Sequence, residues 1–174
     1  MNVTGFLRFV GLLNAAVWCG SSIFLIVGLP AVFSPELKHL LTPAGVGFAA
    51  ESILGRYFIL QYCCGGIALL HLLVEWLYYG RSPWRLNFGL LTVVITFGLI
   101  GGLWVQPKMR ALHIVKYFGK SAQQQAQAAK TFASWHALSE TANLVVIGCL
   151  IWYLWRISKE REPQHFVNFS KMKG

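Results

Sequence analysis

The chain has 174 residues, of which 56% are hydrophobic and only 12% charged. A soluble domain carries about 25% charged residues, so too little charge is present to coat a water-facing surface, and a disordered chain would hold fewer aromatics and more charge. With a net charge of +9 and a mean hydropathy of +0.55, an integral membrane protein is the class that remains.

The cations do not form a nucleic-acid face. Fifteen Lys and Arg stand against six Glu and no Asp, and they cluster between apolar runs or near the end of the chain. That pattern places them beside anionic lipid headgroups, and the partner expected is the bilayer itself, with no nucleic acid.

Four stretches are long enough to cross a hydrocarbon core of ~30 Å, which takes ~20 residues. They run from about 9 to 30, 53 to 79, 88 to 105 and 132 to 155. Backbone polar groups must pair internally in lipid, so the expected fold is all-α, an integral membrane four-helix bundle over residues 1–157. Residues 158–174 read as a basic polar tail that is solvated and lipid-facing. The first apolar run exceeds the core of a cleavable signal and is read as a retained span.

Between the first two spans, Ser34-Pro35-Glu36 and Thr42-Pro43 each have the form of a helix start, and 43–52 leads into the second span. After the third span Pro107 is expected to end the helix. Lys108 to Lys120 then alternates cations with Leu112, Ile114, Val115, Tyr117 and Phe118, which predicts a basic amphipathic segment at the interface between the third and fourth helices. Residues 121–131 are strong helix formers and extend the fourth helix outward.

An even number of spans puts both termini on one side. That side holds eight cations against six or seven on the other, which favours cytoplasmic termini, in the inner membrane if the cell is bacterial. The sequons at Asn2 and Asn168 would then be unused. Cys19, Cys63, Cys64 and Cys149 all fall in apolar runs and read as buried free thiols.

Ionisable groups at membrane depth are functional candidates by default. The fourth span carries His136, Ser139, Glu140 and Asn143 at helical spacing on one face. Arg56 opens the second span at a matching depth, and an Arg56–Glu140 salt bridge would satisfy both charges. The expected polar cluster is therefore Arg56, His136, Ser139, Glu140 and Asn143, in a structural or vestibule role. His113, His136 and Glu140 are the ligand types of a divalent-metal site, which is the alternative reading. A third reading passes a proton or small solute by Arg56, His136 and Glu140.

His71 and His136 are too far apart in depth to share a haem. The rise from Arg56 to His71 alone is about 22 Å. On the terminal side Asn14, His71, Glu75 and Asn87 form a second polar group, read as interfacial capping and snorkelling. Gly98 and Gly102 permit close helix contact, within the bundle or between copies in an oligomer. No nucleophile–base set, phosphate loop or HExxH is present, so the chain reads as no enzyme and no cofactor is expected, with a transition metal or haem as the alternative.

Several motifs carry a resemblance. Gly20-Ser21-Ser22-Ile23-Phe24 with Pro30 and Phe33, then Gly55-Arg56-Tyr57-Phe58, precede Gln106-Pro107-Lys108-Met109-Arg110. Phe132, His136, Ser139, Asn143 and Leu144 follow in the fourth span. Together they resemble the transmembrane protein 205-like family over most of residues 5–157. The resemblance implies a four-helix membrane protein without established catalysis, and it marks Pro107, His136, Ser139 and Asn143 as motif positions. That family is similar in layout to copper-resistance protein D and to haem-pathway oxidases. This chain has no histidine in its first span, which leaves metal handling only as an analogy of fold.

Overall fold

The structure is a computed structural model and describes residues 3–79 and 84–159. Helix α1 spans Val3–Gly28 and runs into a short 3-10 turn, Leu29–Phe33. Helices α2 (Pro35–Leu40) and α3 (Pro43–Tyr79) follow, then α4 (Trp84–Ile100), α5 (Gln106–Phe118) and α6 (Ala122–Ser158).

Helix starts follow the caps in the sequence. Ser34 Oγ accepts from Leu37 N at 3.5 Å with Pro35 and Glu36 in the first turn, and Thr42 Oγ1 accepts from Gly45 N at 3.1 Å ahead of α3. Ser121 Oγ caps Gln124 N at 3.3 Å, so the Gln- and Ala-rich stretch does prolong the fourth helix outward. Each cap satisfies an amide with no partner inside its helix.

Pro107 does not end the third helix, contrary to expectation. A proline lacks the amide N–H, and its ring presses on the carbonyl four residues back. Here the ladder widens into a π turn over Gly101–Val105, with Gln106 N–H bonding Gly101 O. That turn absorbs the ring, and the chain continues directly into α5. The basic segment expected along the interface is thus the prolongation of the third span, packed on α6 and α3.

Four helical stretches, Gly5–Phe33, Pro43–Leu77, Leu86–Phe118 and Ala122–Ser158, are long and apolar enough to cross a membrane. The chain is a multi-pass membrane protein built as a helical bundle. In section the helices form a ring: α1 touches α3 and α6, and α4 touches the same two, so α3 and α6 are diagonal. Arg8 Nη2 donates to Ser158 O at 2.7 Å, which fixes the start of α1 beside the end of α6.

The core lies toward that terminal half. Trp18, Leu72, Leu91, Val94 and Leu150 are fully buried there with Ala15, Cys64, Ala68, Val146 and Tyr153. Close approach of α3 to α4 depends on two glycines, because a Cβ at Gly98 would meet Gln61 at 2.7 Å and one at Gly102 would overlap Tyr62 and Phe58. The surface read as a possible seam between copies is therefore filled by α3 of the same chain. The four cysteines are free, with Cys19 and Cys64 buried as expected, whereas Cys63 faces outward because its neighbour takes the inward position. The Asn2 sequon, Arg81 and the tail beyond Lys159 lie outside the described residues.

Candidate functional site

The most isolated polar groups meet where α3 and α5 pack together, on the side away from the termini. His113 is 4% exposed and lies on the inward face of α5. Its Nδ1 faces Glu51 Oε1 of α3 at 3.6 Å, too far for a hydrogen bond. Both atoms are buried and have no hydrogen-bond partner among the described residues. The other carboxylate oxygen, Glu51 Oε2, lies 3.8 Å from Arg110 Nε, on a side chain that is largely exposed.

Local sequence explains the placement. Gly47 stands one turn before Glu51, and a Cβ there would overlap the His113 ring, so the imidazole sits in a notch that only glycine leaves open. Aromatic rings close the rest. Phe48 meets the imidazole edge-on at 5.1 Å, Tyr117 at 4.9 Å, and Phe132 of α6 lies 6.1 Å away. Lys116 Nζ caps Tyr117 at 5.0 Å and Phe132 at 5.4 Å. Aromatic rings thus enclose the imidazole, while the Glu51 side chain stays 19% exposed on the side of Arg110. Beside Arg110 an open depression of about 400 Å³ is lined by Gln106, Pro107, Ala111 and Ile114.

Below this centre, polar side chains continue into the bundle. Ser22 Oγ and Tyr57 Oη are 3.1 Å apart, and Tyr57 donates to Asn143 Oδ1 at 3.3 Å, joining α1, α3 and α6. Gln61 is buried one turn further along α3. Asn14 Nδ2 then donates to Cys64 O at 2.9 Å, and His71 Nε2 pairs with Leu7 O at 2.9 Å. These groups all sit on the inner face of α3 or against it.

The cluster anticipated from sequence is only partly assembled. Asn143 is half-buried and bonded to Tyr57. Glu140 pairs with His136 of its own helix at 3.2 Å, on side chains 65% and 52% exposed. Ser139 Oγ donates to His136 O at 2.8 Å. Arg56 is exposed and makes no ion pair with Glu140, because α3 and α6 are diagonal and both charges turn outward. The proposed metal trio does not assemble either: His113 faces Glu51, not Glu140, and among the described residues no three His, Cys, Asp or Glu side chains converge to hold a metal ion. Of the terminal-side group, Asn14 and His71 are bonded as above, and Asn87 is buried with Oδ1 unpartnered.

In the sequence Ser22 and Tyr57 stand only within the motifs that carry the resemblance, and Glu51 and Gln61 stand in no candidate cluster. Glu51 lies in the 43–52 lead-in to the second span. Its signal was present: a lone carboxylate in the run AGVGFAAESIL, one helical turn after a glycine.

The family model of a domain of unknown function, DUF4149, matches residues 13–117, and the chain belongs to that family. The match runs from α1 through α5 and includes Gly47, Glu51, Arg110 and His113, while α6 with His136 and Glu140 falls beyond it. No curated protein matches the chain, and no solved structure does.

Proposed function

We propose that this member of the DUF4149 family is a non-enzymatic membrane protein that binds and relays protons, entering at Glu51 and His113. The observation that carries the reading is the pair of buried, unpartnered atoms facing each other at 3.6 Å. Buried polar groups that serve only to hold helices together are normally bonded. A half-buried carboxylate and a buried imidazole that stop short of a hydrogen bond retain the capacity to exchange a proton through a guest molecule.

The interior polar line supports the same reading. Intramembrane ionisable and polar residues that face a bundle interior mark proton and ion pathways. From Glu51 to His71 the inner face of α3 rises about 30 Å, the thickness of a hydrocarbon core. Tyr57, Gln61 and the Asn14 contact stand between them. Trp18, Leu72, Leu91 and Leu150 close the section, which favours a proton over a larger solute. Arg110, on the exposed side of Glu51, adds a cation at the mouth of this pair, at positions other than the Arg56, His136 and Glu140 expected from sequence.

Two further parts belong to this reading. The likeness to the transmembrane protein 205-like family is kept within the wider membership. The terminal side is assigned to the cytoplasm on the excess of cations there.

The test is proton flux into liposomes that contain the purified full chain and a trapped pH-sensitive dye, under an imposed pH gradient. Glu51→Gln keeps shape and removes the titrating group, and a fall of at least about tenfold is expected. Flux no greater than in protein-free liposomes, or flux that Glu51→Gln leaves unchanged, overturns the reading.

A further inference from the structure

The outward charges of α3 and α6 are unexplained by the single chain. Arg56 is exposed and makes no hydrogen bond or ion pair with any described residue. Glu140 has His136 on one side and is 65% exposed on the other. Both lie at membrane depth. Trp135 and Trp155 are 20 residues apart on α6, a rise of about 30 Å, and each stacks under a lysine, Lys108 at 4.4 Å and Lys159 at 3.8 Å. Such Trp–Lys pairs mark the two interfaces, and Glu140 falls about 7 Å inside that slab.

The bond between Tyr57 and Asn143 sets the relative depth of the two charges. Arg56 is one residue from Tyr57, and Glu140 three residues from Asn143, both toward the non-terminal side. At ~1.5 Å per residue they lie within about 3 Å of the same level. A charge exposed to lipid is costly, least so near the interface where a long side chain snorkels, and a partner of opposite sign at the same depth offsets that cost.

Helix geometry then places them on either side of α1. On α3, Phe58 packs on Gly101 and Gly102 of the third span, Tyr57 points inward, and Arg56 falls on the flank away from α4. On α6, Trp135 packs on Trp104, and Glu140 lies on the opposite flank from Trp135 relative to the inward Asn143. Since α1 stands between α3 and α6, its outer face has a cation on one side and an anion on the other. That outer face is Phe9, Leu13, Ala16, Gly20, Ile23 and Val27, all exposed and alternating at three and four residues. A Cβ at Gly20 would meet nothing within 4 Å, so a second helix could approach closely there.

We infer that the chain forms a two-fold dimer through the outer face of α1, in which Arg56 of each copy pairs with Glu140 of the other. A two-fold axis beside α1 carries the α3 flank of one copy opposite the α6 flank of its mate, so the single charge on each flank meets its complement twice. Charge complementarity selects a second copy as the occupant, because a surface carrying both signs at one depth is complementary to itself.

Charge reversal tests the pairing. Step counting is done on singly labelled full chains reconstituted in liposomes of phosphatidylcholine and phosphatidylglycerol. Wild type is expected to bleach in two steps. Arg56→Glu alone and Glu140→Arg alone each put like charges at both contacts and should weaken association at least about tenfold. Mixing the Arg56→Glu chain with the Glu140→Arg chain makes both contacts attractive again and should restore two steps in mixed pairs. Misfolded chains would not rescue each other, so the mixture separates loss of fold from loss of contact. A single bleaching step for wild type, full dimerisation of either variant alone, or failure of the mixture to recover overturns the inference.

Discussion

Two buried histidines at opposite ends of the bundle use the same device and end differently. His71, 6% exposed, fits against Gly11 of α1, and its Nε2 bonds Leu7 O at 2.9 Å. His113, 4% exposed, fits against Gly47 of α3, and its Nδ1 stops 3.6 Å short of a carboxylate. Both imidazoles enter a glycine notch, so packing does not distinguish them. Satisfaction does: one ring closes a contact between helices, and the other leaves a donor or acceptor unspent beside a second ionisable group.

The notches are the first place to break this comparison. Gly11→Ala brings a Cβ to 2.6 Å from His71 Nε2, and Gly47→Ala overlaps His113. Each should lower the unfolding free energy by about 1–3 kcal/mol, read by reversible unfolding in mixed micelles. Comparable losses uphold the shared device. A neutral Gly47→Ala would mean that His113 is not held in its notch, and the isolation of the Glu51 pair would go with it.

The second pair of substitutions should differ in sign. His71→Leu removes the bond to Leu7 O and is expected to cost about 1–2 kcal/mol. Glu51→Gln gives His113 Nδ1 an amide donor in place of a carboxylate, and forfeits only a long contact to the exposed Arg110. Its stability should rise by up to about 1 kcal/mol. Rising stability with falling proton flux is the signature of a group kept for function. Losses of equal size at both ends would make the two histidines alike.

Much of the fold was legible in the sequence because bilayer thickness acts on composition directly. Four apolar runs gave four spans, and Ser34, Thr42 and Pro43 gave the starts of α2 and α3. Pro107 runs against its local signal, because its effect depends on the Gly101-Gly102 pair before it opening into a π turn. The site was less legible, since depth along a helix follows from counting residues, whereas facing does not. Residue counting puts Arg56 and Glu140 at similar depth, yet the ring order α1–α3–α4–α6 sets their helices diagonally and turns both charges out. His113 reads from sequence as a metal ligand, but Glu51, the carboxylate it faces, lies 62 positions earlier, at a distance in sequence that no local pattern spans.

A weaker test concerns the polar tier between the two ends. Tyr57→Phe removes the hydroxyl that links Ser22 to Asn143, while Ser22 keeps its bond to Trp18 O at 2.9 Å. The expected loss is about 1 kcal/mol, the net value of a buried hydrogen bond. Larger losses would show that this tier, and not the terminal core, holds α6 in place.

The smallest effect is expected where the sequence first drew attention. His136 and Glu140 pair at i and i+4 on the outer face of α6, with more than half of each side chain exposed. Exposed helical pairs of this kind contribute roughly 0.3–0.5 kcal/mol. His136→Ala should therefore change the stability of the dissociated chain by no more than that, measured at high detergent-to-protein ratio so that association does not contribute. The contrast with Gly47→Ala then separates the two faces of the non-terminal side. A loss above about 1 kcal/mol from His136→Ala would shift the polar centre back onto α6. A loss within the expected range leaves Glu51 and His113 as the inward-facing ionisable pair, and leaves Glu140 free to meet a charge from outside its own chain.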